Sequence, residues 1–340
     1  MLRRISQPAL LVMFALAVHA ADKTFTCADC HKAEAHSSTT LMGQALMQPG
    51  TNTVLAAHPK LTWSRGLYSY KVDTTGEQST YSVSDGTNTI ATPIRWGFGA
   101  RAQTFVIEHE GRLYESLVSF YPKNNGLAVT IGDESIQPKT LLEAFGRPLA
   151  DREVASCFGC HSQGALTNGQ LHLDNVHPGV QCENCHPDAK AHMDALAHGK
   201  TNVVPRKLAS LTPEETSNFC GQCHRTWDRV VRDRLRGEIN VRFQPYRLAN
   251  SKCYDGADPR LSCTTCHDPH KDAVVDAAFY DAKCQACHDP HTKNIKGKLC
   301  PVGTSNCTNC HMPKVPLPGG MQVFTDHQIR IAHAGEPYPN

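Results

Sequence analysis

The chain has 340 residues, and its 34 lysines and arginines nearly balance its 32 aspartates and glutamates, for a formal net charge of +2. This balance lacks the basic excess of a nucleic-acid-binding surface, so it argues against nucleic acid as a partner. The unusual feature is the number of potential metal ligands and covalent attachment points, 16 cysteines and 19 histidines.

Residues 1–20 predict a signal peptide. Arg3 and Arg4 form a basic segment before an apolar run at residues 9–18, and small residues flank a cleavage site after Ala20. That run is shorter than a membrane span needs, which weighs against the alternative of an uncleaved anchor. We therefore predict an exported protein, periplasmic or at the cell surface, whose mature chain does not span a membrane and meets an oxidising environment.

Seven copies of the pattern C-x-x-C-H follow. Two thiols one helical turn apart can form thioethers to the two vinyl groups of one haem, and the adjacent histidine can then bind its iron. Zinc sites and disulfides use cysteine pairs without requiring a histidine after each one. The sequence therefore predicts seven covalently attached haem c groups with iron. They are held by motif 1 (Cys27, Cys30, His31), motif 2 (Cys157, Cys160, His161), motif 3 (Cys182, Cys185, His186), motif 4 (Cys220, Cys223, His224), motif 5 (Cys263, Cys266, His267), motif 6 (Cys284, Cys287, His288) and motif 7 (Cys307, Cys310, His311).

The gap between motifs 1 and 2 predicts antiparallel strands. Residues 66–72 and 79–94 alternate apolar and polar side chains around an Asp85-Gly86 turn, and residues 103–121 resemble a hairpin that turns near Glu110-Gly111. His109 falls in this hairpin, where we interpret it as structural. The predicted organisation is a first haem segment at 21–60, a β subdomain at 61–135 and a six-haem domain at 136–340.

Six of the motifs lie within residues 157–311, which leaves little sequence for an ordinary apolar core. The predicted fold class is therefore a multihaem cytochrome, with short helices and loops wrapped around a haem stack and a small antiparallel β subdomain near the N-terminus. One helix is predicted from Thr212, its N-cap, through a capping box with Glu215 to a stop at Gly237. Residues 313–320 predict an extended connector.

Histidines outside the motifs are candidates for the sixth position of each iron. The mature chain holds eleven of them, enough for bis-histidine coordination of seven irons. Methionines such as Met42, Met47 and Met312 are alternatives, and roles for His36, His172 and His333 stay open. The seven candidates are His58, His177, His192, His198, His270, His291 and His327.

The string "CHDPH" constrains two of these candidates. His270 follows His267 by three residues, which span only about 10 Å when fully extended, and Pro269 stiffens the connection. His270 therefore cannot reach the far face of its own haem. If His270 or His291 binds iron, it binds the iron of a neighbouring haem.

The two cysteines outside the motifs are Cys253 and Cys300. In an exported protein we favour a disulfide between them, with two unpaired thiols as the alternative.

The chain resembles the multihaem c-type cytochromes of the cytochrome c-552/c-554 superfamily, which includes hydroxylamine oxidoreductase and pentahaem nitrite reductase. The resemblance is carried by "CFGCH", "GVQCENCH", "FCGQCHRTW", "FQPYRLANSKCY", "SCTTCHDPH", "CTNCHMPK" and "FTDHQIRI". It implies distal ligation by the histidine of "CHxPH" strings and of a late "DH", hence by His270, His291 and His327. The segment "CENCHPDAKAH" is similar to the family's "CExCHGPGxxH" and implies His192, although Pro187-Asp188-Ala189 replaces Gly-Pro-Gly.

The favoured function is electron transfer through closely packed, mostly bis-histidine haems between redox partners such as a quinol dehydrogenase, other cytochromes or terminal reductases. A first alternative is an oxidoreductase that acts on a small nitrogen or sulfur compound at one open haem, most plausibly that of His31. The sequence lacks the C-x-x-C-K motif of the nitrite reductases. A second alternative is a subunit of a conductive filament or conduit, and a homo-oligomer is left open.

Overall fold

The computed structural model describes residues 25–289 and 300–339. The predicted signal peptide and His291 lie outside these residues. Within the two described ranges, none of the helices combines the length and the hydropathy that crossing a bilayer would require.

The strands of the described chain are mostly concentrated between residues 46 and 148. They are β1 Leu46–Met47, β2 Lys60–Arg65, β3 Tyr68–Thr75, β4 Gln78–Ser84, β5 Thr89–Phe98, β6 Gln103–His109, β7 Arg112–Tyr121, β8 Gly126–Val129, β9 Gly146–Pro148, β10 Ser162–Gln163, β11 Leu166–Thr167, β12 Gln170–Leu171, β13 His177–Pro178, β14 Lys314–Pro316 and β15 Val323–Thr325.

The helices are short and lie mostly after the sheet. They are α1 Cys27–Cys30, α2 Thr53–Ala57, α3 Leu141–Phe145, α4 Asp151–His161, α5 Cys182–Cys185, α6 Ala189–Ala197, α7 Pro213–His224, α8 Trp227–Arg232, α9 Gln244–Ala249, α10 Cys263–Cys266, α11 Ala277–His288 and α12 Cys307–His311. Single 3₁₀ turns lie at Ala35–Thr39, Pro49–Thr51, Leu173–Asn175, Leu208–Ser210, Glu238–Arg242 and Pro318–Gly320.

The main sheet is an antiparallel meander in the order β2-β3-β4-β5-β6-β7-β8. Both predicted hairpins are confirmed. Asp85 Oδ1 accepts the backbone N–H groups of Thr87 and Asn88 at 2.9 and 2.7 Å in the β4–β5 turn. Glu110 and Gly111 both have positive φ, 49° and 75°, in the two-residue β6–β7 turn. Two positive φ values match the twist of the flanking strands, which is why a glycine suits this turn.

The sheet extends beyond the predicted strands on both sides. β1 pairs with β5, and β9 pairs with β7. Strands of two or three residues are too short to show alternation, so the sequence pattern missed them. β9 also needs a glycine, because a Cβ at Gly146 would collide with the carbonyl of Glu115.

The sheet encloses an apolar core of the ordinary kind. Tyr70, Val72, Tyr81 and Val83 are fully buried on β3 and β4, and the hydroxyl of Tyr81 donates to the carbonyl of Phe145 at 3.0 Å. Among the described residues of the second half of the chain, the buried apolar cluster is much smaller and is formed by Val230, Phe243 and Tyr246. This contrast is the one expected if the motif-rich segment obtains its core from prosthetic groups.

The predicted helix from Thr212 to Gly237 begins as expected and is wrong in its length. Thr212 Oγ1 accepts the N–H of Glu215 at 3.2 Å, and Glu215 accepts the N–H of Thr212 at 2.8 Å. The helix ends at His224, Arg225 takes a positive φ of 61°, and a second helix, α8, begins at Trp227. The chain folds back so closely that a Cβ at Gly221 would collide with Thr226 Cγ2. This tertiary contact left no signal in the local pattern.

The extended connector predicted at residues 313–320 is also corrected. Residues 314–316 form β14, which pairs with β15 in an antiparallel hairpin. The prolines allow this because a two-stranded ladder has edges on both sides, where a missing N–H costs little.

Asp133 offers a test of electrostatics inside the sheet region. It is 6% exposed, and no hydrogen-bond partner for Oδ2 lies among the described residues. Burial, then the charge of Glu115, raises the pKa of Asp133 to about 6, against the opposing charge of Arg147. The folded chain therefore binds this proton more tightly than the unfolded chain, so the free energy of unfolding falls as the pH rises between about 4 and about 6.

We expect Asp133→Asn to raise the free energy of unfolding at pH 7 by roughly 1 to 2 kcal/mol and to change it little at pH 4. Urea unfolding followed by far-UV circular dichroism at both pH values measures this. Glu77→Gln, on the exposed β3–β4 turn, is the control. An equal effect of Asp133→Asn at both pH values would contradict the explanation.

Candidate haem sites

Every motif lies on a short helix or at the C-terminal end of a longer one. Motifs 1, 3, 5 and 7 form the single-turn helices α1, α5, α10 and α12, and motifs 2, 4 and 6 end α4, α7 and α11. A helical turn brings the two cysteines of each motif to the same side, and the histidine follows at once. None of the fourteen motif cysteines is in a disulfide. Local geometry therefore fits the double attachment that the sequence predicts.

Motif 2 is fixed against the β sheet. Phe158 of α4 is fully buried between Trp96 and Phe98 of β5, with ring centroids 5.0 and 5.1 Å away. The rings of His161 and Phe98 meet edge to face, with their centroids 5.3 Å apart. Nδ1 of His161 lies 2.8 Å from the carbonyl oxygen of Ala45. The sheet thus positions the imidazole of motif 2.

Cysteines of different motifs lie next to each other. The Cys220 and Cys263 thiols lie close enough to shift each other's pKa. The same holds for Cys160 and Cys223, whose interaction lowers the pKa of Cys160. Because thioethers attach to the edge of a haem, sulfurs that lie close together predict haem edges that lie close together. The sulfur neighbours from different motifs include Cys27 and Cys182 (motifs 1 and 3), Cys160 and Cys223 (2 and 4), Cys185 and Cys220 (3 and 4), Cys220 and Cys263 (4 and 5), Cys266 and Cys284 (5 and 6), and Cys284 and Cys307 (6 and 7).

Two motif histidines face histidines that the sequence marked as distal candidates. The rings of His186 and His270 are parallel within 3°, with centroids 6.3 Å apart. The rings of His267 and His327 lie 6.1 Å apart at 38°. A metal–imidazole bond is about 2.0 to 2.1 Å long, so two imidazoles on opposite sides of one ion have centroids roughly 6 Å apart. The separation of both pairs therefore matches that of two imidazoles bound to one iron.

The ring of His270 is oriented from its own turn. Asp268 Oδ1 accepts the backbone N–H of His270 at 3.0 Å and lies 3.3 Å from its Nδ1. The ring held by this turn is the one that lies parallel to His186 of motif 3.

Hydrogen bonds fix the tautomers of several other histidines. A carbonyl oxygen can only accept, so a ring Nδ1 beside it carries the proton and leaves Nε2 with the lone pair that binds a metal. The Nδ1–carbonyl contacts are His161 to Ala45 (2.8 Å), His192 to Val203 (2.6 Å), His198 to Asp194 (2.7 Å), His311 to Arg330 (3.0 Å) and His327 to Thr325 (3.0 Å).

Burial also favours the neutral, metal-binding form of the imidazole. It lowers the pKa of His161, His186, His224 and His267, and lowers that of His327 to about 4.

The other candidates are placed less favourably. His58 has both ring nitrogens occupied, with Nδ1 2.8 Å from the Val54 carbonyl and Nε2 2.7 Å from Asn125 Oδ1. His177 lies exposed on β13, paired with Gln163. His109 ends β6 against Phe145, with ring centroids 5.4 Å apart. No ring contact between His58 or His177 and a motif histidine is present among the described residues.

The disulfide favoured between Cys253 and Cys300 is wrong, because both cysteines are free and exposed. Cys253 lies instead within electrostatic reach of Cys284 and Cys287 of motif 6.

The sequence reasoning missed one buried group near these sites. Arg247 and Asp326 form an ion pair with side-chain exposures of 1% and 0%, next to His327. Both residues stand in strings that carried the family resemblance, "FQPYRLANSKCY" and "FTDHQIRI". Their meeting depends on contacts across 79 residues, which no local pattern reports.

Comparisons with known proteins agree with the motif chemistry. A family model described as cytochrome c554 and c-prime matches residues 134–187, and one described as a doubled CXXCH motif matches residues 277–316. None of the curated proteins matches the chain significantly. The solved structure of the outer cell wall cytochrome OcwA is similar over 89% of this chain and 78% of that one, with 14% identity and a TM-score of 0.41. The two family matches show that the chain has the features of a multihaem c-type cytochrome, with haem attached covalently through C-x-x-C-H motifs.

Proposed function

We propose that the protein is a heptahaem electron carrier, in which haems 1 to 7, numbered by their motifs, are close enough to exchange electrons directly. The observation that carries this proposal is the closeness of cysteines from different motifs, which shift one another's pKa. Each bound haem supplies one-electron redox chemistry, and the chain sets its spacing, its axial ligands and its surroundings.

The neighbouring cysteines predict an order of haems that differs from the order of motifs in the chain. Direct side-chain interactions connect haem 1 to 3, 4 to 5 and 6 to 7, and haem 2 to haem 4 as a side arm. Electrostatic reach between cysteines connects haem 3 to 4 and haem 5 to 6. Haems 1, 2 and 7 are then the three ends of a branched network, with haem 4 at the branch point.

The axial partners follow from the ring pairs. We propose His270 as the distal ligand of haem 3 and His327 as that of haem 5. His192 and His198, whose Nε2 atoms are free for metal, remain proposed ligands of other haems, as does His291. His58 is the weakest of the seven candidates, because the protein already occupies both of its ring nitrogens.

The basic and apolar start of the sequence supports an exported protein that exchanges electrons with other redox proteins in the periplasm or at the cell surface. The proposed organisation keeps a haem segment at 21–60, a β subdomain at 61–135 and a six-haem domain at 136–340. The apolar core supports a β subdomain that reaches beyond 61–135, because Leu55, Ala144 and Phe145 belong to that core, and the motif-dense remainder supports the six-haem domain.

Haem content and spin state test the function together. We expect the intact mass and the pyridine haemochrome assay to give seven haems per chain, and electron paramagnetic resonance of the oxidised protein to show only low-spin haem. Fewer than seven haems would contradict the count. A high-spin haem that binds nitrite or hydroxylamine would favour the oxidoreductase instead, and filaments in electron micrographs would favour the conduit.

A further inference from the structure

Two segments far apart in sequence meet at a buried ion pair. Arg247 lies on α9, and Asp326 directly follows β15. Arg247 Nε donates to Asp326 Oδ1 at 2.8 Å, and Nη2 donates to Oδ2 at 2.9 Å. This two-point geometry is specific to a guanidinium and a carboxylate, and lysine cannot reproduce it.

The remaining guanidinium donors also bind the C-terminal segment. Nη2 of Arg247 donates to Gln328 Oε1 at 2.6 Å, and Nη1 donates to the carbonyl of Pro339 at 2.7 Å. The guanidinium lies over the ring of Tyr338, 4.6 Å from its centroid. Every guanidinium nitrogen therefore has an acceptor, and all these acceptors lie between residues 326 and 339.

The backbone around His327 is held by residues that follow Arg247. Ser251 Oγ donates to the carbonyl of His327 at 3.3 Å and accepts the N–H of Ile329 at 2.7 Å. Gln328 Nε2 donates to the carbonyl of Asn250 at 3.3 Å. The main chain is thus fixed on both sides of His327.

The ring of His327 gains its direction from this frame. Its Nδ1 lies 3.0 Å from the carbonyl of Thr325, and its centroid lies 6.1 Å from that of His267 in motif 5. A shift of the backbone at Asp326 would move the ring and open the gap between the two imidazoles.

We propose that Arg247 is the positioning residue of haem 5. Through Asp326 it holds His327 opposite His267, and so it decides whether the iron between them keeps two imidazole ligands. This inference rests on the proposed ligation by His327. Arg247 itself touches no reacting atom. Its role is to fix the position of His327, the proposed ligand.

The test compares three variants of the haem-loaded protein. Arg247→Lys keeps the charge and loses the two-point contact. Arg247→Met with Asp326→Leu removes both charges, so that no unpaired charge is left buried. Arg147→Lys is the matched control. Arg147 also pairs with carboxylates, those of Glu115 and Glu153 at 2.7 Å each, but neither of them adjoins a proposed haem ligand.

We expect both Arg247 variants to contain a population in which one haem per chain is high-spin and binds cyanide, with more than half of the molecules affected in the double variant. Added imidazole should restore the low-spin signal. The control should stay low-spin. Haem content and far-UV circular dichroism confirm that each variant is folded. A folded double variant with unchanged spin state and unchanged reduction potentials would overturn the proposal.

His327→Ala separates this proposal from the function beneath it. If His327→Ala makes one haem high-spin and the Arg247 variants do not, the positioning role fails and the ligation stands. If His327→Ala itself leaves every haem low-spin, the assignment of His327 to haem 5 fails, and the positioning role fails with it.

Discussion

Replacing His270 with alanine is expected to remove one axial ligand from the iron of haem 3. Haem 5, whose attachment motif directly precedes His270 in the sequence, should keep both of its ligands. The rings of His270 and His186 lie parallel at 6.3 Å, while the ring of His267 faces His327 instead. The loss of one imidazole ligand should convert one haem per chain from low-spin to high-spin and let it bind cyanide.

A double variant identifies which haem has changed. If His270 and His327 serve different irons, His270→Ala combined with His327→Ala should give two high-spin haems per chain, one from each change. If His270 bound the iron of its own motif, His267 and His270 would fill both axial positions of haem 5, His327 would have no place there, and the double variant would show one high-spin haem. Spin quantitation by electron paramagnetic resonance reads the count directly. Asp268→Asn, which weakens only the bond that orients the ring, is the milder control and should give a partial change.

Removing haem 4 is expected to divide the network into three parts: haem 2, haems 1 and 3, and haems 5 to 7. Among the described residues, Cys160 of motif 2 interacts with Cys223 of motif 4. Replacing Cys220 and Cys223 with alanine removes the branch point. After rapid photoreduction, we expect electrons to equilibrate quickly only within each of these three parts, and to pass between the parts more slowly by orders of magnitude.

The matched control removes haem 7 through Cys307→Ala and Cys310→Ala. This variant also loses two thioethers and one haem, like the variant without haem 4, but haem 7 lies at an end of the network. The remaining six haems should still equilibrate in one fast phase. Similar kinetics in the two variants, each confirmed to hold six haems, would contradict the branched order.

Local signals in the sequence predicted the elements that local physics determines. The β4–β5 and β6–β7 hairpins follow from alternation and from glycines at turns, and the start of α7 follows from Thr212 and Glu215. The same reasoning joined α7 to α8 wrongly, because the break depends on how Thr226 packs against Gly221. It treated residues 313–320 as a connector, because the partner strand β15 carries no alternation long enough to detect.

The residues of the candidate site also fall into two groups: those that the local sequence predicts and those that only the folded chain brings together. The pattern C-x-x-C-H identifies the attachment residues, since two thioethers and an axial ligand must come from neighbouring positions. The reach of three residues excluded His270 from its own iron, and the structure adds a specific partner in His186. The contacts between motifs 2 and 4 and the pair of Arg247 with Asp326 join residues 63 and 79 positions apart, so they depend on the folded chain alone.

The sheet around Tyr70 and Tyr81 contains buried side chains that need no prosthetic group to pack. We therefore expect it to fold during biogenesis before haem is attached to the chain that follows. Phe158 of α4 packs on this sheet, so motif 2 would be presented in a fixed orientation while the later motifs were still unstructured. Haem attachment would then begin next to a sheet that is already folded. Failure to attach one of the later haems would leave the sheet folded.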